Sequence, residues 1–499
     1  MAVTTLAIKP SNIKQQLSLM KLLLVLLMAT FVGGCAMYAQ HKLDQLYGES
    51  VPVNRDINRI DFSVTDPLEY HRDIEPILKK RCVVCHGCYD APCQLKLDSF
   101  AGIDRGATQN KVYDGERLLA ANMTRLFEDA HTTTEWRGKD FYPVLNERTQ
   151  TAEINLHGST LYKMLELKRK HPLPSAATPS PSFDFSLNRN QQCPSIESFD
   201  SFAESYPLWG MPYGLRALND EDFDTIKQWL EAGALRQPGP APRDPFQGHI
   251  NQWEGFLNDS PLKQQLASRY IFEHLFFAHI YFDSKSESGY FKLVRSATPP
   301  GQAIQQISTR RPYDNPGVGR VYYRFQKVRS VIVAKNHMPY LLDSKRMQRW
   351  RDLFLRPDYT VSKLPSYQPE VAANPFKTFA DIPVKSRYQF MLDEARFSIM
   401  AFIKGRVCRG QIALNVIQDR FWVVFVDPDK MKPMIADEFL RQHNDVMRLP
   451  SEQESNVLPL STWLKYSKLH ENYLQEKDRL LQKYFPNGRG ISMDLIWDG

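Results

Sequence analysis

Arg81-Cys82-Val83-Val84-Cys85-His86-Gly87-Cys88-Tyr89-Asp90-Ala91-Pro92-Cys93 decides how the first half of this chain is read. Cys82-Val-Val-Cys85-His86 has the C-x-x-C-H spacing through which a c-type haem is attached. Two thiols bond to the vinyl groups, and the adjoining imidazole is then carried under the iron as its axial ligand. This assigns Cys82 and Cys85 to covalent attachment and His86 to the iron, with one haem per chain. A rival reading uses the same stretch. Cys82, Cys85, Cys88 and Cys93 form a C-x2-C-x2-C-x4-C string suited to zinc or an iron–sulfur cluster. Haem is favoured because His86 directly follows the second cysteine, which neither rival requires. The leader also lacks the twin arginine expected of a chain exported with a preassembled cluster. Cys88, Cys93, Cys193 and Cys408 are left over. A local Cys88–Cys93 disulfide suits an oxidising compartment, although spacing alone does not fix the pairing.

Upstream, residues 1–35 carry Lys9, Lys14 and Lys21 and no acid, then the apolar run Leu22 to Met28 and the exit Val32-Gly33-Gly34-Cys35. A basic start, a short apolar core and small residues at the end describe a secretory signal. The run is shorter than the roughly 20 residues that cross a bilayer. The exit is similar to a bacterial lipobox, in which Cys35 becomes a lipid anchor; ordinary cleavage nearby, with Cys35 incidental, is the other reading. The expected location is the periplasm, with peripheral membrane association and a lipid anchor through Cys35 under the first reading.

Downstream, Trp209-Gly210-Met211-Pro212-Tyr213 precedes a helix signature. Asn219 or Asp220 is the N-cap, acids fill the first turn, Phe223, Ile226, Leu230 and Trp229 form the buried stripe, and Gly233 stops the helix. A Met-Pro before a closing helix resembles the end of a cytochrome c domain, so Met211 is the expected distal iron ligand, with Met338 the runner-up. Before the motif, Tyr70 to Leu78 reads as a short helix or turn. Leu95 to Ala107 reads as a strand and turn near the haem edge, and Ser159 to Arg169 as an amphipathic helix.

Gln237-Pro-Gly-Pro-Ala-Pro242 is a semi-rigid linker. Beyond it, Arg269 to Phe282 is aromatic nearly all round and reads as a buried helix. His274 and His279 lie about 140° apart on such a helix, so core histidines with local partners are favoured over a shared metal. Ser308 to Arg329 is basic: Arg310, Arg311, Arg320, Arg324, Lys327 and Arg329 stand against Asp314 alone. Its alternation from Arg320 reads as a half-exposed strand, either a solvated face or a phosphate-contacting surface in which Arg310, Arg311, Arg320 and Arg324 meet lipid headgroups. Ser461 to Tyr484 is a long amphipathic helix. Across 499 residues, 42% hydrophobic and 24% charged content excludes wholesale disorder, and a net charge of +7 is too mild to imply nucleic acid. The expectation is multidomain: a signal (1–35), a mainly α cytochrome c-like haem domain with insertions (60–236), a Pro-rich linker (237–246) and an α+β domain (247–499).

Arg81 to Leu97, Tyr270 to Phe282, Val407-Cys-Arg-Gly-Gln-Ile-Ala-Leu-Asn-Val-Ile417 and Phe421-Trp422-Val423 together resemble the fatty acid cis/trans isomerases of Gram-negative bacteria. The resemblance implies a periplasmic c-type haem enzyme that turns cis double bonds of phospholipid acyl chains to trans, the second domain forming an aromatic acyl channel beside the haem. Its implied partners are membrane phospholipids with cis-unsaturated chains and the cytochrome c maturation machinery. His86 would be the catalytic residue through the iron it holds. Members of that family continue beyond the equivalent of residue 499, so a C-terminally truncated chain or a short relative is implied. The alternative is an envelope c-type cytochrome acting in electron transfer.

Overall fold

The computed structural model describes residues 40–56, 68–112, 121–173, 183–185, 190–237, 245–282, 289–334, 337–395, 397, 427–431, 433–447, 460–488 and 492–495. The signal with Cys35, Pro238 to Pro242 of the linker, Val407 to Ile417 with Cys408, and Phe421-Trp422-Val423 lie outside them. The chain divides into two compact units. One takes 1–86, 92–110 and 132–238; the other takes 87–91, 111–131 and 239–499.

The first unit is helical. A π-helical turn, Tyr70–Ile74, runs into α1, Glu75–Arg81, and α2, Val83–His86, follows at once. Pro76 sits in the first turn of α1, where its missing N–H costs nothing. Next come α3 (Phe100–Arg105), α4 (Thr133–Arg137), α5 (Ala152–His157), α6 (Thr160–Lys170), α7 (Phe199–Ser205) and α8 (Asp220–Glu231). The expected strand at Leu95 to Ala107 is instead a turn and the short helix α3. Ser99 accepts from Gly102 N–H at 3.2 Å and starts the helix, an N-cap signal that the alternating Leu95 and Leu97 obscured.

α8 forms where its signature places it. Asn219 Oδ1 accepts from Asp222 N–H at 2.7 Å, and Phe223, Ile226, Trp229 and Leu230 are buried. Trp229 is fully buried and meets Tyr70 at 6.1 Å and Phe100 at 6.5 Å between ring centroids. The indole N–H donates to Leu235 O at 2.8 Å, so no polar group is stranded by this burial. The closing helix is thereby joined to the segment that delivers the cysteine motif.

The second unit packs helices on one small mixed sheet. α9 (Gln247–Leu257) and α10 (Leu262–Leu275) precede β1 (His279–Tyr281), β2 (Phe291–Ser296), β3 (Tyr322–Lys327) and β4 (Pro339–Leu341), in the order β3-β2-β1-β4. β1 pairs antiparallel with β2 and parallel with β4, with Ile280 opposite Phe291 and Tyr340. Helices α11 (Ser344–Trp350), α12 (Val384–Asp393), α13 (Pro433–His443) and α14 (Leu460–Tyr484) follow. The core joins Trp253, Trp350, Tyr270, Phe354 and Phe390, with Trp253 edge-on to Trp350 at 5.3 Å. Each such burial is worth roughly 1.5–3 kcal/mol.

Two expectations change here. The aromatic stretch Arg269 to Phe282 is not one helix: α10 ends at Leu275 and the chain re-enters the core as β1. Burial on every side hides periodicity, so helix and strand look alike in such a run. Arg324 does not lie on an exposed strand face either. It is buried, its Nε donates to Glu254 Oε2 at 2.7 Å, and its other nitrogens cap the carbonyls of Thr298, Pro299 and Gln302. Glu254 Oε1 also accepts from Phe325 N–H at 3.0 Å, so this pair seats α9 on β3.

Candidate functional site

The motif sits on a tight turn. α1 ends at Arg81, and the Cys82 carbonyl accepts from both Cys85 N–H (3.1 Å) and His86 N–H (3.0 Å). The single helical turn of α2 keeps both cysteines and the histidine together. Neither Cys82 nor Cys85 is in a disulfide. Cys82 is part-buried, and burial pushes its thiol up to about 12, so it stays protonated at neutral pH. Cys85 is exposed.

His86 is buried, with Nδ1 2.9 Å from Leu95 O. A carbonyl can only accept, so Nδ1 carries the proton and Nε2 is the basic nitrogen. The His86 carbonyl in turn takes Leu97 N–H at 2.9 Å, so one extended segment holds the histidine by ring and backbone together. This is the arrangement that prepares an imidazole for metal ligation: one nitrogen fixed by a carbonyl, the other basic.

The disulfide joins Cys93 to Cys193, with Cα atoms 5.6 Å apart, and not to Cys88. A Cys88–Cys93 bridge is therefore corrected. Cys88 is buried and takes no part in a disulfide among the described residues. Cys93 adopts φ 54°, its N–H donates to Gln191 Oε1 at 2.9 Å, and Tyr142 Oη donates to Cys193 O at 2.8 Å. The pairing also removes the fourth sulfur from the four-cysteine string. Among the described residues no three or more His, Cys, Asp or Glu side chains are grouped to hold an ion.

Met211 and Cys82 both pack against the same core cluster of the first unit. Arg81, next to Cys82, donates to Arg216 O at 2.8 Å and Ala217 O at 3.2 Å, tying the motif to the loop after Met211. Met211 N–H donates to Met164 O at 2.9 Å. Gly210 lets the chain come this close to α6, since a Cβ there would lie 2.8 Å from Lys168 Cα. The runner-up Met338 is buried in the core of the second unit.

Of the expected headgroup arginines, Arg310 donates to Ala121 O at 2.7 Å, Arg311 pairs with Asp314 at 3.0 Å, and Arg320 donates to the carbonyls of Asn258 and Asp259 at 3.1 Å. All three are half-buried, while Arg324 is spent inside the fold. His274 has the local partner expected, with Nδ1–H to Tyr270 O at 2.7 Å. His279 does not: its Nδ1 lies 3.1 Å from Nδ1 of His337 across the sheet edge. Leu95 and Cys193 are the site residues the sequence did not point to. The first acts through its backbone, and the second was visible only as an unassigned cysteine.

A family model described as fatty acid cis/trans isomerase matches residues 121–499, about three quarters of the chain, beginning after the cysteine motif. No curated protein and no solved structure matches the chain.

Proposed function

The chain belongs to the fatty acid cis/trans isomerase family, and from that premise we propose that it isomerises acyl chains of membrane phospholipids with one covalently held c-type haem. The observation that carries the haem is His86: buried, fixed through Nδ1–H to Leu95 O, with two cysteines outside any disulfide on the same turn. Cys82 and Cys85 would hold the group and His86 Nε2 would face its iron, with Met211 the distal candidate. When bound, such a haem supplies an electron-poor iron centre able to weaken the π bond of a cis alkene, so that rotation to the more stable trans isomer needs no external energy or net redox change.

The chain's own residues prepare this. Leu95 O fixes the tautomer and the ring plane of His86. Tyr70, Phe100 and Trp229 keep the wall behind the motif dry. Periplasmic placement, with Cys35 as a lipid anchor, completes the proposal and gives access to the bilayer without a span; no helix among the described residues is long and apolar enough to cross a membrane.

The test uses purified haem-loaded full chain with vesicles of cis-unsaturated phosphatidylethanolamine, followed by fatty acid isomer analysis. Trans product should form without added electron donor or acceptor. No conversion by protein with intact Cys82–Cys85 attachment would overturn the proposal and return the chain to electron transfer.

A further inference from the structure

Lys292 and Arg295 of the second unit line one recess, and neither makes an ion pair among the described residues. Lys292, on β2, is half-buried, and its ammonium makes no hydrogen bond or ion pair among the described residues. Arg295, three residues on, is buried. Its Nη1 donates to Asp314 O at 2.8 Å and its Nη2 to Thr309 Oγ1; Glu273 and Asp314 act on its charge, but neither carboxylate forms an ion pair with it among the described residues. Desolvation accordingly lowers its pKa. Buried charge is normally paired, because the loss of hydration is otherwise unrecovered.

Both residues line one recess together with Arg125, Arg311, Phe272 and Phe276. Arg125 is answered by Glu128 at 3.1 Å and Asp129 at 2.6 Å, and Arg311 by Asp314 at 3.0 Å. Glu128 also lines the recess, and burial holds its carboxyl above the usual range. Lys292 also acts on Glu128, so the four cations Arg125, Lys292, Arg295 and Arg311 stand against Glu128, Asp129 and Asp314 and leave a small positive excess beside Lys292 and Arg295.

We propose that this recess binds a phosphate oxyanion, with Lys292 as the accessible point charge, Arg295 as the buried counter-charge and Phe272 and Phe276 flanking the ester carbons. The proposal deepens the isomerase reading by naming the part of a phospholipid that is gripped, and rests on that reading only for the choice of lipid. A phosphoester can come from a lipid headgroup or from a soluble metabolite, and the experiment separates the two.

Haem-loaded full chain is titrated calorimetrically with sn-glycerol 3-phosphate, and floated with phosphatidylcholine vesicles with and without phosphatidylglycerol. Saturable binding of glycerol 3-phosphate is expected, weakened at least about tenfold by Lys292→Gln and restored by Lys292→Arg. The arginine variant keeps the charge, so its rescue distinguishes anion binding from a packing role. If Lys292→Gln also reduces flotation on phosphatidylglycerol vesicles, the source is a membrane headgroup; if flotation is unchanged, it is a soluble phosphoester. No saturable binding by the wild-type chain, or equal affinity in Lys292→Gln, overturns the proposal. Trans-isomer formation measured on the same preparations reports separately on the isomerase reading.

Discussion

His86 has Nδ1 committed to the backbone carbonyl of Leu95, so its replacement should act through chemistry more than folding. His86→Gln is expected to abolish cis-to-trans conversion while covalent haem, read by intact mass and haem staining, persists through Cys82 and Cys85. Cys82→Ser with Cys85→Ser should remove the covalent haem itself. Unchanged conversion in either variant would make the haem irrelevant to turnover. His279 supplies a different residue-scale expectation. Burial, with Lys292 and His337 nearby, lowers its pKa from 6.5 to about 3. The folded chain thus keeps it neutral while the unfolded chain binds a proton, so its contribution is complete above pH 6.5 and lost as pH falls toward 3. Denaturant titrations should show wild type losing stability across that window, with a shallower slope for His279→Gln.

Among the elements, α8 depends on its cap and on one side chain. Asn219→Ala removes the acceptor for Asp222 N–H and should cost about 1 kcal/mol, read as a lowered Tm. Trp229→Ala empties the contact with Tyr70 and Phe100 and should cost roughly 3–5 kcal/mol. Two helices of the first unit were legible because half-buried helices show their period: the stripe of α8 and the amphipathic α6 follow directly from spacing, whereas α3, which carries Phe100, did not. The stretch around His279 was not legible, because a chain buried on every side carries no polar face to mark the period. Arg324 misled for a related reason. Arginine on an alternating strand suggests solvent, yet Glu254, about seventy residues earlier, turns it inward.

For the whole molecule, the Cys93–Cys193 disulfide joins positions 100 residues apart within the first unit. It constrains the unfolded chain far more than a Cys88–Cys93 bridge would, because closing a longer loop removes more entropy. Cys193→Ser is expected to lower the stability of that unit by roughly 2–5 kcal/mol. The loss should match that produced by reductant on wild type, as measured by thermal unfolding. If Cys193→Ser unfolds as wild type does and reductant still destabilises it, the pairing lies elsewhere.

The sequence by itself determined features that rest on local spacing: the C-x-x-C-H arrangement of Cys82, Cys85 and His86 on which the haem proposal stands, the capped helix after Met211, and resemblance to the fatty acid cis/trans isomerase family, whose model matches residues 121–499. Such features depend on spacing of a few residues, which the chain states directly. Only the tertiary structure decided which carbonyl orients His86, which cysteine bonds to Cys93, where Arg324 turns and which cations share a recess. The first three of these partners lie between nine and a hundred residues away, and the choice in every case follows from how the core packs, which no local pattern encodes.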